Sequence, residues 1–168
     1  MSPGSRSGWP LAALAIVVLA ADQLSKYAVA RFTEVGSLRV VIPGVLNLIH
    51  TSNPGVAFGF FADSATPWRA PLLIAFSLGV MGLIVWLLAT DRAGGWLGRY
   101  GMALILGGAA GNFLDRVARR RVTDFLDFHL GSHHWYTFNV ADSAIVLGAA
   151  FVILELLRDL SHPGRERA

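Results

Sequence analysis

Residues 70–90 read APLLIAFSLGVMGLIVWLLAT, with no charged side chain along the whole stretch. A bilayer core about 30 Å thick is crossed by roughly 20 mostly apolar residues in a helix, so this stretch alone is long enough to span. Three more stretches follow the same pattern, at about 9–32, 98–117 and 138–157, each apolar through most of its length and carrying polar residues near one end. The whole chain agrees: 54% of residues are hydrophobic, only 15% are charged, and the mean hydropathy is +0.54. Such a composition lies outside the soluble norm. The fold class expected is a membrane all-α bundle of four transmembrane helices, in a single domain over residues 1–168.

The remaining composition narrows the chemistry. The chain has no cysteine, which removes disulfides, thiol nucleophiles and thiolate metal sites together. The net charge of +3 comes from basic residues scattered between apolar blocks, with no basic stripe interleaved with aromatics, so nucleic acid is not an expected partner. The first apolar run follows Arg6 and ends in Ala20 and Ala21, as a cleaved signal would. Its helical pattern nevertheless continues through QLSKYAVARF, and a retained helix is expected. Gly107 and Gly111 form a small-xxx-small pair that lets helices approach closely inside one bundle. Arginines divide six to seven between the two sides, Arg92, Arg99 and Arg158 being among those on one and Arg39, Arg69 and Arg116 among those on the other, so charge gives no orientation.

Two segments lie outside the membrane on one common side. Residues 33–69 contain LRVVIP and VLNLIHT, β-branched runs punctuated by Pro43, Gly44 and the Asn53, Pro54, Gly55 turn, and predict a small β-sheet. Residues 119–137 contain VTDFLDFHLGSHHWY, partly amphipathic, and predict a short helix or loop whose Trp135 and Tyr136 suit a membrane interface. Phe58, Phe60 and Phe61 read either as buried packing or as an edge resting on the membrane, and Arg119 to Arg121 as a candidate contact for lipid phosphates.

The costly groups gather at that same side. Asp22 and Lys26 end the first span, Asn112, Asp115 and Arg116 end the third, and Asn139 and Asp142 begin the fourth. Ionisable residues at membrane depth point to function. Asn112 and Arg116 share a helix face at i,i+4, as Asn139 and Asp142 do at i,i+3. Asp124 lies just beyond the third span, within reach of Asp142. Two carboxyls in one site share a proton, and such a pair can take a proton from water while polarising a carbonyl. The residues alone also permit an ion pair with Arg116, a proton relay through Asp22, Asp124 and Asp142, or a scaffold with dispensable acids. Asp115 is expected to pair with an arginine. His129 and His133 invite a metal reading, but Gly131 breaks the helix that would align them, and no metal is expected.

Four ordered motifs carry a resemblance: DQLSKYAV at 22–29, TSNPGVAFGFF at 51–61, GGAAGNFLDRVARRRVTDFLDF at 107–128 and FNVADSAIVLG at 138–148. Together, from about Trp9 to Leu157, they are similar to lipoprotein signal peptidase, also called signal peptidase II or prolipoprotein signal peptidase. The resemblance implies an aspartyl endopeptidase of the bacterial inner membrane with both termini cytoplasmic, segments 33–69 and 119–137 periplasmic, and the active site near the periplasmic face. It implies removal of the signal peptide from prolipoproteins by a cut before the diacylglyceryl-modified cysteine. Asp124 and Asp142 fall on the catalytic dyad, Asn53, Asn112, Arg116 and Asn139 on supporting or substrate-positioning residues, and Asp22 and Lys26 on the first-helix motif. No cofactor is implied; the expected partners are the lipid-modified substrate and membrane lipids, for a monomeric enzyme. The chain departs from the family pattern in Pro54 after Asn53, and in Arg119 to Arg121 where a glycine is common.

Overall fold

The computed structural model describes residues 8–55 and 68–161. Within them the order is α1 (Trp9–Phe32), β1 (Leu38–Ile42), β2 (Leu46–Asn53), α2 (Arg69–Ala89), α3 (Trp96–Arg119), β3 (Val122–Leu130), β4 (His133–His134) and α4 (Val140–Ser161). The four helices fall where the apolar runs predict. The AFGFF aromatics lie outside the described residues.

The bundle is apolar outside, and its interior combines small apolar residues such as Ala15, Ala103 and Ala141 with large polar ones. Ile16, Val17, Phe76, Val146 and Leu156 are exposed, whereas the largest fully buried side chains are Lys26, Asn139, Asp22 and Asp124. This inversion is what a lipid solvent selects: hydrocarbon costs nothing against lipid tails, and polar groups must find partners within the protein. Among the described residues, α1, α2 and α4 are long and apolar enough to cross a membrane. Helix α3 is as long as α1, but its glycines and its charged residues at both ends dilute its hydropathy.

Those glycines are why α3 can sit at the centre. It packs against α1, α2 and α4. A Cβ on Gly107 would meet the Ala15 carbonyl of α1 at 2.6 Å. Gly101 and Gly148 approach reciprocally, an added Cβ on either meeting the other's carbonyl oxygen at 2.6 and 2.5 Å. Backbones this close leave no room for side chains, the close contact that small residues provide in membranes.

The second extramembrane segment corrects the sequence reading. Instead of a short helix or loop, residues 122–130 form β3, a central strand of an antiparallel sheet ordered β1-β2-β3-β4. The VTDFLDF spacing imitates a helix because β3 is bulged: the N–H groups of Phe125 and Leu126 both donate to the Phe138 carbonyl, at 3.0 and 2.8 Å. Val122, Asp124, Asp127 and His129 are all buried, so the inward phase jumps from a two-residue to a three-residue step across the bulge. β2 shifts register between Leu48 and Thr51, opposite the same point. The bulge thus keeps Asp124 and Asp127 both inward.

Helix α3 stops at Arg120, a non-glycine residue at φ 57° whose N–H reaches the Arg116 carbonyl at 2.9 Å. The left-handed cap turns the chain back so that β3 lies over the helix mouth. Within the arginine run, Arg120 thus holds a position where glycine would sit without strain. Left-handed backbone costs an L-residue roughly 1–2 kcal/mol. Arg120→Gly is therefore expected to raise the thermal midpoint in detergent, by the equivalent of about 1 kcal/mol, with no loss of function; a lowered midpoint would contradict the strain assignment.

Candidate active site

The site is built where the C-terminal ends of α1 and α3 meet the start of α4 under the sheet. Asn139 immediately precedes α4 and caps it: its Oδ1 accepts from Asp142 N at 3.0 Å, while Asp142 Oδ2 accepts from Asn139 N at 3.3 Å. This reciprocal pair is a capping box with aspartate in the third helical position, where an acid also suits the helix dipole. Local helix chemistry therefore places Asp142. The same cap commits the Asn139 Nδ2 group to Asp124 Oδ1, 2.7 Å away. One buried residue thus meets both carboxylates, Asp124 through its side-chain amide and Asp142 through its backbone N–H.

Asp124 lies opposite Thr51 in the β2–β3 ladder, diagonal to Asn53 on the same face. Asn53 Nδ2 donates to Asp124 Oδ2 at 2.9 Å, and Asn53 Oδ1 accepts from Gly55 N at 2.8 Å. The Asn53, Pro54, Gly55 turn is thus an Asx-turn stiffened by its proline, and it aims the amide at the acid. On the helix side, Asn112 Nδ2 donates to Asp142 Oδ1 at 2.8 Å, and Asn112 Oδ1 accepts from Lys26 Nζ at 2.9 Å. In all three asparagines the oxygen is occupied by another donor. Each NH2 group is therefore turned toward a carboxylate, and that of Asn139 also reaches Asn112 Oδ1 and the Thr123 carbonyl, each at the longer 3.4 Å.

Deeper in the bundle, Lys26 Nζ lies 2.8 Å from both Asp22 Oδ2 and Asp115 Oδ2, with all three side chains at 2% exposure or less. Asp115 was expected to pair with an arginine; Arg119 comes only to 3.9 Å, and lysine is the close partner. Asp22 Oδ1 accepts from Ala141 N at 2.9 Å, tying this cluster to the first turn of α4. Arg116 donates to the carbonyls of Asn112 and Gly55, each at 3.3 Å, so its guanidinium spans the α3 end and the Asx-turn.

Asp124 sits on the extramembrane strand. Its burial raises its carboxyl most, the Asn53 hydrogen bond pulls it back, and the neighbouring Asp142 carboxylate raises it again, giving a pKa of about 6. An acid ionising near neutrality suits proton transfer in either direction. The linkage has a definite sign. Against an ordinary value of 3.8, the folded protein holds its proton more tightly, so stability is lost as pH rises from about 4 through about 6. The thermal midpoint of the wild type, relative to Asp124→Asn, is expected to fall over that interval, by the equivalent of up to roughly 3 kcal/mol. A difference independent of pH would contradict the raised value.

The histidines belong elsewhere. His134 Nδ1 lies 3.0 Å from both oxygens of Asp127, and the His129 and His134 rings stack at 4.7 Å. Burial opposes ionisation of Asp127, but the hydrogen bonds from His134 and Asn47 hold its carboxyl below the usual range. That cluster braces the β3–β4 end of the sheet, away from Asp124. Two residues of the site were missed in the sequence: Gly55, whose N–H and carbonyl serve Asn53 and Arg116, and Gln23, which donates to Asp22 Oδ2 and to the Gly111 carbonyl. An Asn-Pro-Gly run is a visible signal for the first; nothing marks the second. Gly111 has no space for a Cβ against Asp22, so its place in the small-residue pair also serves this cluster.

Two apolar cavities reach Asp142. One, about 360 Å³, runs among α2, α3 and α4 past Phe76 and Ile145 to Asn112 and Arg116. The other, about 540 Å³, lies between residues 135–138 and Val146 and Leu147 of α4.

Residues 14–158 match the family model for signal peptidase (SPase) II. The chain is 41% identical over 154 residues to the lipoprotein signal peptidase of Solibacter usitatus (strain Ellin6076), covering 89% of this chain and 92% of that one. It is 38% identical over 146 residues to the lipoprotein signal peptidase of Maridesulfovibrio salexigens, covering 87% and 94%. A solved structure of a bacterial membrane enzyme superposes with a TM-score of 0.83 at 28% identity, over 95% of this chain and 93% of the other.

Proposed function

The chain belongs to the signal peptidase II family, and from that premise we propose that it removes signal peptides from prolipoproteins, cutting before the diacylglyceryl-modified cysteine with an aspartate pair that activates water. The observation that carries the mechanism is Asn139, whose one side chain and backbone engage both Asp124 and Asp142. In this mechanism the pair holds one proton. The ionised carboxylate takes a proton from water as the water oxygen attacks the scissile carbonyl, and the protonated carboxyl donates to the carbonyl oxygen. The tetrahedral intermediate collapses when the C–N bond breaks, and a proton passes from the pair to the departing amine. A carboxylic acid and an amine remain, and no acyl-enzyme forms. The three amides keep the two acids oriented, and Arg116, held on the Asn112 and Gly55 carbonyls, stands ready for substrate backbone.

The apolar cavities that end on Asp142 suit a signal-peptide helix and acyl chains arriving from the bilayer, with the bond to be cut at the boundary. Helix α3 is the fourth span in this reading. It is long enough, and four passes put the polar ends of α1, α3 and α4 at one level. The site then faces the periplasm of the inner membrane, both termini are cytoplasmic, and residues 1–168 act as one monomeric domain.

The test is cleavage by the protein reconstituted in lipid vesicles, on one prolipoprotein with and without its diacylglyceryl group, with product masses measured. A product starting at the modified cysteine, formed only from the lipidated substrate, is expected. Cleavage elsewhere, or equal cleavage of both, would overturn the reading.

A further inference from the structure

Three asparagine amides are aimed at the two acids, and each is aimed because its oxygen is already taken. For Asn53 and Asn139 the occupying donors are backbone N–H groups, of Gly55 and Asp142. Those donors cannot be removed without remaking a turn or a helix start. For Asn112 the occupying donors are side chains, Lys26 Nζ at 2.9 Å and, at the longer 3.4 Å, Asn139 Nδ2, which is already committed to Asp124 at 2.7 Å. An amide whose two ends face the wrong way presents oxygen instead of N–H, and a carboxylate has nothing to offer an oxygen. The shorter of the two contacts that hold the polarity of Asn112 thus comes from a buried cation 86 residues away in sequence.

We infer that Lys26 is a positioning residue for the cleavage reaction, locking the Asn112 amide so that its Nδ2 is always presented to Asp142. The inference rests on the aspartate-pair reading above. Its supports are geometric. Lys26 is 1% exposed and lies 2.8 Å from each of Asp22 and Asp115, an arrangement that keeps the ammonium in place in a medium that would otherwise expel it. Asp22 in turn accepts from Ala141 N at 2.9 Å, beside Asp142, so the cluster is registered to the helix that carries the acid. A pair of acids alone would hold a lysine; the third contact, to Asn112, is what connects it to the reacting groups.

The experiment measures kcat, KM and the pH profile of lipidated-prolipoprotein cleavage for Lys26→Met, Asn112→Ala, the double variant, Asn112→Asp and Asp142→Asn. Lys26→Met is expected to lower kcat by about 10²-fold with KM little changed, since loss of orientation at a reacting group costs about that much. Combined with Asn112→Ala it should cost no more than Asn112→Ala alone, because both remove one lock. Multiplying losses, or a wild-type rate for Lys26→Met, would overturn the inference. Lys26→Met strands two buried carboxylates, and where it does not fold Asn112→Asp decides. That variant keeps an acceptor for Lys26 but sets an acid against Asp142, so a large fall in kcat and a profile displaced to higher pH are expected; an unchanged rate and profile would overturn the inference. Asp142→Asn separates the two readings. If it still cleaves, the aspartate pair itself fails. If it is inactive while the Lys26 losses multiply, only the role of Lys26 fails.

Discussion

Asp124→Asn and Asp142→Asn are each expected to lower the cleavage rate by at least about 10³- to 10⁴-fold, while the folded bundle persists. The reaction asks one carboxyl to accept a proton as the other supplies one, so either amide leaves a partner with nothing to exchange. The fold should survive because neither acid is held by an ion pair that the change would strand. Asp124 accepts from two amides and Asp142 from an amide and a backbone N–H. Replacing one carboxylate oxygen by NH2 sets a donor against a donor at one of those contacts, a cost of about 1–3 kcal/mol. Cleavage of lipidated prolipoprotein, followed by gel shift, with the thermal midpoint measured alongside, separates loss of chemistry from loss of structure. Retained cleavage in either variant would remove that residue from the mechanism.

Asn139 is expected to be the next most sensitive position, and two substitutions there divide its two tasks. Asn139→Leu removes the helix cap on the Asp142 N–H and the side-chain link to the Asp124 carboxylate. A lost cap costs about 0.5–2 kcal/mol, and freeing the Asp124 carboxylate while loosening the helix start that places Asp142 should lower the rate by about 10²-fold or more. Asn139→Asp keeps an acceptor for Asp142 N, and aspartate caps helices as well as asparagine does, so the midpoint should stay near that of wild type. It replaces the Nδ2 donor by a third carboxylate beside Asp124, 2.7 Å from the amide nitrogen in the wild type, and activity should fall as far as in the leucine variant. A leucine variant with normal rate, or an aspartate variant whose stability falls with its activity, would contradict this division.

The helices were legible because lipid imposes a single long-range demand, some 20 apolar residues in a row, which no local context can override. The polar residues at their ends were legible for the complementary reason, that each is too costly to be placed there idly. The residues named from sequence, Asp22, Lys26, Asn53, Asn112, Arg116, Asp124, Asn139 and Asp142, are joined in the structure by one set of hydrogen bonds, in which Asn139 links the Asp124 side to Asn112 and Asp142. What the sequence concealed depended on two-body geometry. The Asp124 to Asp127 spacing has helical period, and only the bulge opposite Phe138 lets a strand satisfy it. The orientation of three amides depends on what occupies their oxygens, and in Asn112 that partner is on another helix. Glycine dilutes the hydropathy of α3 for the same reason that α3 is central: close neighbours on three sides leave no room for larger apolar side chains.

The central claim is that Asp124 and Asp142 act as one unit. It is tested most directly by comparing kcat/KM for lipidated prolipoprotein in the two single asparagine variants with that of Asp124→Asn/Asp142→Asn. Residues of one catalytic unit lose their function together, so the double variant should fall to the same floor as the singles. A double variant slower than either single by the product of their separate losses would mean that the two acids work independently, and would contradict the account.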